Sequence, residues 1–245
     1  MKILLTISYD GSSYYGWLKQ ATVISVQEQL EIALSALYKQ DISIRGASKT
    51  DAGVHAMAQI AVYTTNISIP LANLPKAINS FLPDDIVVTK ATEVNDSFHP
   101  QYNVINKTYE YLILNDEFRN PKLVKYTDFV RNKLDISKMQ EACQYFIGEH
   151  DFKAFCASGT RAKSTIRQIY SLCVAKNNNI VSIKVTGNGF LYNMVRIIAG
   201  TLVDIGAGKI LPTDIPIIIN AKNRTKAGKT LAPNGLTLME VNYEE

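Results

Sequence analysis

A chain of 245 residues with 47% apolar and 20% charged residues has the make-up of an ordinary folded protein, which excludes a disordered, fibrous or disulfide-stapled one. The net charge of +4 permits a polyanionic partner without requiring one. Cys143, Cys156 and Cys173 form no CxxC pair, so reduced thiols in a cytoplasmic protein are expected.

The opening "MKILLTISY" carries one lysine and lacks the small-residue cleavage site of a signal peptide, so residues 2–9 are read as a strand. Ser25 to Leu37 shows apolar residues at helical spacing, opened by Ser25 with Glu28 three positions on, the pattern of a capping box. Residues 42–46 and 57–65 alternate as strands, 71–82 reads as a helix with Pro75 in its first turn, and 85–94 as a further strand. After a polar crossing come a strand at 108–114, a helix over 137–148 ended by Gly148, and a hairpin turning at Asn177–Asn179. A long apolar helix over 190–208 and a last strand over 235–243 complete the chain. The nearly uncharged run Val185–Val203 contains Gly187, Gly189 and Arg196 and makes a poor membrane span.

Strands interleaved with helices in each half predict an α+β protein of two ferredoxin/RRM-like units with mostly antiparallel sheets and an active-site cleft between them. The expected division is residues 1–104, carrying an Asp51 loop, and 105–245, completing the site.

Common metal and phosphate motifs are absent. Gly187-Asn188-Gly189 is half a phosphate loop and reads better as a tight turn, and His150-Asp151 reads as a turn rather than a dyad. Two residues stand out. Arg196 is the one charge between Lys184 and Asp204, in a helix apolar nearly all round. A buried guanidinium keeps its proton, so it needs an anion or several acceptors. Asp51 lies in "RGASKTDAGVHA", a loop of residues too small to cover it. If the two meet, the carboxylate stays ionised, and removing Arg196 would cost about 3–5 kcal/mol. Residues alone leave the alternative open: Arg196 on backbone carbonyls or Asp204, and Asp51 capping a turn.

At this point the chain resembles the TruA-type tRNA pseudouridine synthases. "GASKTDAGVHAMAQIAVY" is similar to their G-x-G-R-T-D-A-G-V-H-A signature. "YDGSSYYGWLKQ", "NSFLPDDIVV", "SFHPQYNVINKTYEYLI", "GEHDFKAF", "STIRQI", "GNGFLYNMVRIIAGTLVDIGAGK" and "APNGLTL" have counterparts in the same order. The resemblance implies an isomerase that converts uridine to pseudouridine at positions 38–40 of the tRNA anticodon stem-loop. It implies Asp51 as catalytic residue, with Tyr109, Arg196 and Lys49 binding substrate: Tyr109 packing on the base and Arg196 pairing with Asp51. It implies no metal, no cofactor, a homodimer, the tRNA anticodon arm as partner, and no membrane. The chain departs from the pattern at Lys49, where the motif has arginine, at Ser48 or Ala47, at Gln101 and at Leu18. Lys19, Arg45, Lys107, Arg161, Lys163 and Arg167 are further candidates for RNA contacts. The rival readings are an RNA-binding module without catalysis and a glycosidic hydrolase, although the latter usually needs two carboxylates.

Overall fold

The computed structural model describes residues 1–160 and 162–243, so Arg161 lies outside the described residues. In chain order the elements are β1 (Lys2–Tyr9), α1 (Val26–Tyr38), β2 (Arg45–Gly46), β3 (His55–Thr64), α2 (Leu74–Asn79), β4 (Ile86–Val94), β5 (Val104–Asn115), β6 (Asp128–Val130), α3 (Ile136–Cys143), β7 (Gly148–Asp151), β8 (Ile166–Asn177), β9 (Ile180–Gly187), α4 (Met194–Gly206), α5 (Ile215–Ala221) and β10 (Leu236–Tyr243). They form an α+β structure with mostly antiparallel strands, in two compact units: Met1–Ile105 with Thr237–Glu245, and Asn106–Leu236. No helix among the described residues is long and apolar enough to cross a membrane.

In the first unit β1 is the central strand. It runs antiparallel to β3 (Lys2↔Thr64 to Tyr9↔Ala56) and to β4 (Lys2↔Val94 to Tyr9↔Ile86), while β10 pairs parallel with β3 at Thr237↔His55. Its period of two buries Ile3, Leu5, Ile7 and Tyr9. α1 buries Val26, Leu30, Ala33 and Leu34, and begins where Ser25 Oγ accepts from the Glu28 N–H at 3.3 Å. Its far end is tied to β3 by a 2.9 Å hydrogen bond between the hydroxyls of Tyr38 and Tyr63. The helix expected over 71–82 is confined to Leu74–Asn79. Asn79 then turns its side-chain amide onto both backbone groups of Val88, at 2.9 and 2.8 Å.

In the second unit β5, β9, β8 and β7 form consecutive antiparallel pairs, with β6 parallel on the other edge of β5. The β8–β9 hairpin turns where expected, with Asn178 at φ 51°. Two expectations need correction. Gly148 does not end a helix but opens β7, because α3 gives way to a 3-10 turn at Gln144. The long apolar helix starts at Met194 rather than at Phe190, because Asn193 takes a left-handed backbone. All of α4 is buried except Arg196 and Asp204. Its C-terminal end lies on α3, where a β-carbon on Gly206 would come within 2.8 Å of Met139 Sδ.

Candidate active site

Asp51 sits on the connection between β2 and β3, half-buried, flanked by buried Thr50 and, one residue further back, exposed Lys49. Small residues here admit the chain's own backbone. The β1–α1 connection lies against the loop: the Trp17 N–H donates to Thr50 O at 3.0 Å and the Gly53 N–H to Tyr14 O at 3.2 Å. Gly16, at φ +89°, makes this approach possible, since a β-carbon there would stand 2.6 Å from Thr50 O. From the other side the Ala47 N–H donates to Ile60 O at 2.7 Å, and fully buried Gln59 clamps Ser48. Its Oε1 accepts from the Ser48 N–H at 3.2 Å and its Nε2 donates to Ser48 O at 2.8 Å. The Tyr9 hydroxyl shares a 2.7 Å hydrogen bond with Thr50 Oγ1. The Asp51 backbone is therefore held from two sides, and its position does not depend on loop flexibility.

Beside this loop opens a notch of about 190 Å³ lined by Trp17, Leu18, Gln27, Ile44, Arg45, Gly46, Lys49 and Gln101. Two cations and two amides on one small hollow suit an anionic or strongly polar group. Arg45 also reaches His99 Nε2 at 3.1 Å; partial burial and the Arg45 charge hold the imidazole pKa below its usual range.

Tyr109 lies half-buried on β5, opposite Val185 of β9. Its ring meets Phe190 edge-on, with centroids 5.3 Å apart and planes at 87°. Two residues along the same face, Tyr111 is fully buried, its hydroxyl donating to Ala232 O at 2.7 Å and to Asp128 Oδ2 at 3.2 Å. Burial and the Asp128 carboxylate push its pKa above the ordinary phenol range. Lys107, two residues before Tyr109, is half-buried, and burial lowers its pKa to about 8.

Arg196 is half-buried rather than fully buried. Its Nε donates to Leu231 O and its Nη1 to Asn193 Oδ1, each at 2.7 Å. Leu231 reaches the helix because the 228–232 segment crosses α4 at Gly200. Asp204, the alternative partner on the same helix, is bonded to Lys209 at 3.1 Å instead. One stretch, Gly187–Asn193, thus supplies a neighbour to both site candidates of the second unit: Phe190 to Tyr109 and Asn193 to Arg196. Neither neighbour was singled out from sequence, although "GNGFLYN", with two glycines ahead of a helix, marked an irregular turn. There the chain bends at Asn188, whose N–H donates to Gln168 O and whose Oδ1 accepts from the Gln168 N–H, each at 3.0 Å.

The remaining candidates are more ordinary. Lys19 pairs with Glu31 at 3.1 Å, Arg167 donates to the carbonyls of Ser164 and Ile166, and Lys163 is exposed. Asp151 bonds Lys222 at 2.8 Å and accepts from Thr165 Oγ1, interactions that lower its pKa and commit it to structure rather than to a dyad with His150.

The sequence matches the family described as tRNA pseudouridine synthase over residues 5–103 and 142–244. The chain belongs to the tRNA pseudouridine synthase family. It is 47% identical over 241 residues to tRNA pseudouridine synthase A of Caldicellulosiruptor saccharolyticus, covering 98% of this chain and 99% of that protein. It is 46% identical over 241 residues to the enzyme of the same name from Thermoanaerobacter sp., with the same coverage. With the Bacillus pumilus enzyme it shares 44% over 246 residues, covering all of both chains. The chain is thus an isomerase that forms pseudouridine in tRNA.

Proposed function

We propose that this tRNA pseudouridine synthase acts on uridines 38–40 of the anticodon stem-loop, with Asp51 as its nucleophile or base and without a cofactor. The observation that carries this reading is the two-sided clamp on the backbone at residues 48–53, which holds one carboxylate in a fixed place beside a cationic notch. Isomerisation breaks the N1–C1′ bond and rejoins C1′ to C5 of the same uracil. No atom enters or leaves, so the reaction requires no co-reactant. An ionised aspartate serves each possible opening step: attack at C1′, addition at C6, or removal of the 2′ proton.

Drawing the nucleotide out of its stack costs a few kcal/mol. Tyr109 offsets part of that cost by stacking on the base, worth about 1–3 kcal/mol. Lys49, with Arg45 beside it, takes an RNA phosphate in the notch. Lysine there keeps the charge but loses the planar fork of arginine. Arg196 contributes a fixed positive charge to substrate binding. We further infer a homodimer working in the cytoplasm, with residues 1–104 carrying the aspartate and 105–245 the tyrosine and arginine.

The test is incubation with unmodified tRNA, followed by mapping of pseudouridine by carbodiimide-stop sequencing. Stops at uridines 38–40 are expected for the wild type and none for Asp51→Asn, with tRNA binding and Tm of the variant near wild type. Near-normal turnover by Asp51→Asn would refute the assignment. Release of free uracil with an abasic product would point to hydrolysis instead.

A further inference from the structure

Asn193 departs from what its position in the fold calls for. It is the N-cap of α4, where an asparagine normally has an extended backbone and accepts a hydrogen bond from an N–H of the first turn. Here φ is 60° and ψ 9°, the left-handed region, and the side chain makes no capping bond. Asparagine tolerates this region better than most residues, yet the conformation still has a cost. The side-chain oxygen is turned instead onto Arg196 Nη1 at 2.7 Å. Asn193 therefore forgoes the cap and accepts an unfavourable backbone while holding a guanidinium.

The geometry of that guanidinium shows what the contact achieves. Arg196 Nε donates to Leu231 O and Nη1 to Asn193 Oδ1, each at 2.7 Å. Acceptors on two different nitrogens of a planar fork define the plane in which it lies. They come from different segments, the 228–232 crossing and the turn before α4, so the orientation is set by tertiary structure rather than by the helix alone. The first turn of α4 stays anchored without the side chain, because the Ile197 N–H donates to Asn193 O at 3.0 Å.

We propose that Asn193 is a positioning residue for the isomerisation, its side-chain oxygen and left-handed backbone together orienting the Arg196 guanidinium. This rests on the reading that Arg196 serves the reaction. Asn193 itself touches no substrate in this assignment and acts through Arg196.

The test compares wild type, Asn193→Gly, Arg196→Lys and the double variant for kcat, KM and Tm on unmodified tRNA. Glycine adopts the same backbone without strain and lacks only the acceptor. The expected result for Asn193→Gly is a Tm close to wild type, kcat lowered about tenfold and KM unchanged. In the Arg196→Lys background the same change should have no further effect, because the group it orients is gone. A merely structural Asn193 predicts instead a lower Tm with unchanged kcat, or losses that multiply in the double variant; either overturns the proposal. Should Asn193→Gly fold poorly, Asn193→Asp tests the same point, because it keeps the backbone preference and the acceptor facing the guanidinium. A kcat within about threefold of wild type supports the proposal, and a tenfold loss at wild-type Tm overturns it. Full activity of Arg196→Lys would remove the role of Arg196, and this inference with it. Impaired Arg196→Lys with normal Asn193→Gly would overturn the role of Asn193 alone.

Discussion

A β-carbon on Gly200 would lie 1.9 Å from the carbonyl oxygen of Lys229. Helix α4 and the 228–232 segment are in direct backbone contact there, secured by Thr201 Oγ1, which accepts from the Gly228 N–H at 2.9 Å. The crossing delivers Leu231 O to Arg196. Gly200→Ala favours the helix intrinsically by about 1 kcal/mol, but a backbone oxygen cannot move away as a flexible side chain can. The expected outcome is a net loss of about 2–4 kcal/mol, of the size seen for overpacking and broken buried hydrogen bonds, with turnover reduced in the fraction that folds. Thermal unfolding and tRNA assays of this variant decide it; a Tm equal to or above wild type would show that the segment does not bear on α4 as described.

Arg196 is the second case. From sequence its removal reads as the breaking of a buried ion pair. The half-buried side chain also holds Leu231 O and Asn193 Oδ1. Arg196→Ala leaves both without this donor, and the loss of these two hydrogen bonds costs about 1–3 kcal/mol of stability. Turnover should fall at least about 100-fold, the size of losing one charge-stabilising donor. A variant that is active but unfolds many degrees early would reverse this assignment, making Arg196 a structural residue.

How much of this was readable beforehand depends on the physical signal. Period-two alternation gave β1 and helical spacing gave α1, because each buries one face against a core and the amino-acid pattern records it. Asp51 and Arg196 stood out because a charge among small or apolar residues demands an explanation. The short elements β6, β7 and α5 were missed, since three to seven residues are too few to show a period. The start of α4 was misjudged because Phe190, Leu191 and Tyr192 look helical by composition, while one left-handed residue breaks the helix. Gln59 gives no signal in the sequence, and Asn193 gives only its place in an irregular stretch ahead of a helix. Their roles come from hydrogen bonds to residues brought near by folding, and single-residue chemistry does not encode such partners.

Gln59 carries the third prediction. Both its amide atoms are used on Ser48, and the residue is fully buried. Gln59→Leu conserves much of the volume but leaves the Ser48 N–H and C=O buried without these partners. A loss of about 2–4 kcal/mol is expected, together with lower kcat, as the loop that carries Asp51 loosens. Gln59→Glu keeps one acceptor and loses the donor, and should be no better. Amide hydrogen exchange at residues 47–53 would register the loosening directly; unchanged protection in Gln59→Leu would refute the clamp.

Ser48 itself offers a test of opposite sign. Its hydroxyl is buried with no hydrogen-bond partner among the described residues. Ser48→Ala removes an unsatisfied polar atom, keeps the backbone bonds to Gln59, and should raise stability by about 1 kcal/mol without lowering kcat. A drop in Tm would mean that the hydroxyl has a partner after all.

Lys107 makes the pH dependence testable. Burial lowers its pKa from 10.5 to about 8 in the folded chain, while the unfolded chain keeps the ordinary value. Between these two limits the unfolded state holds more protons, so this residue's contribution to stability rises with pH across that window. Below about pH 8 both states are protonated and the full cost of the half-buried charge applies. Lys107→Met removes the charge and keeps most of the apolar stem. It should therefore raise Tm at pH 7, with the difference from wild type shrinking as pH approaches 10. Taking the difference cancels the tyrosines and other lysines that titrate in the same range. A Tm difference that stays constant from pH 7 to 10 would mean that Lys107 keeps its ordinary pKa in the folded protein.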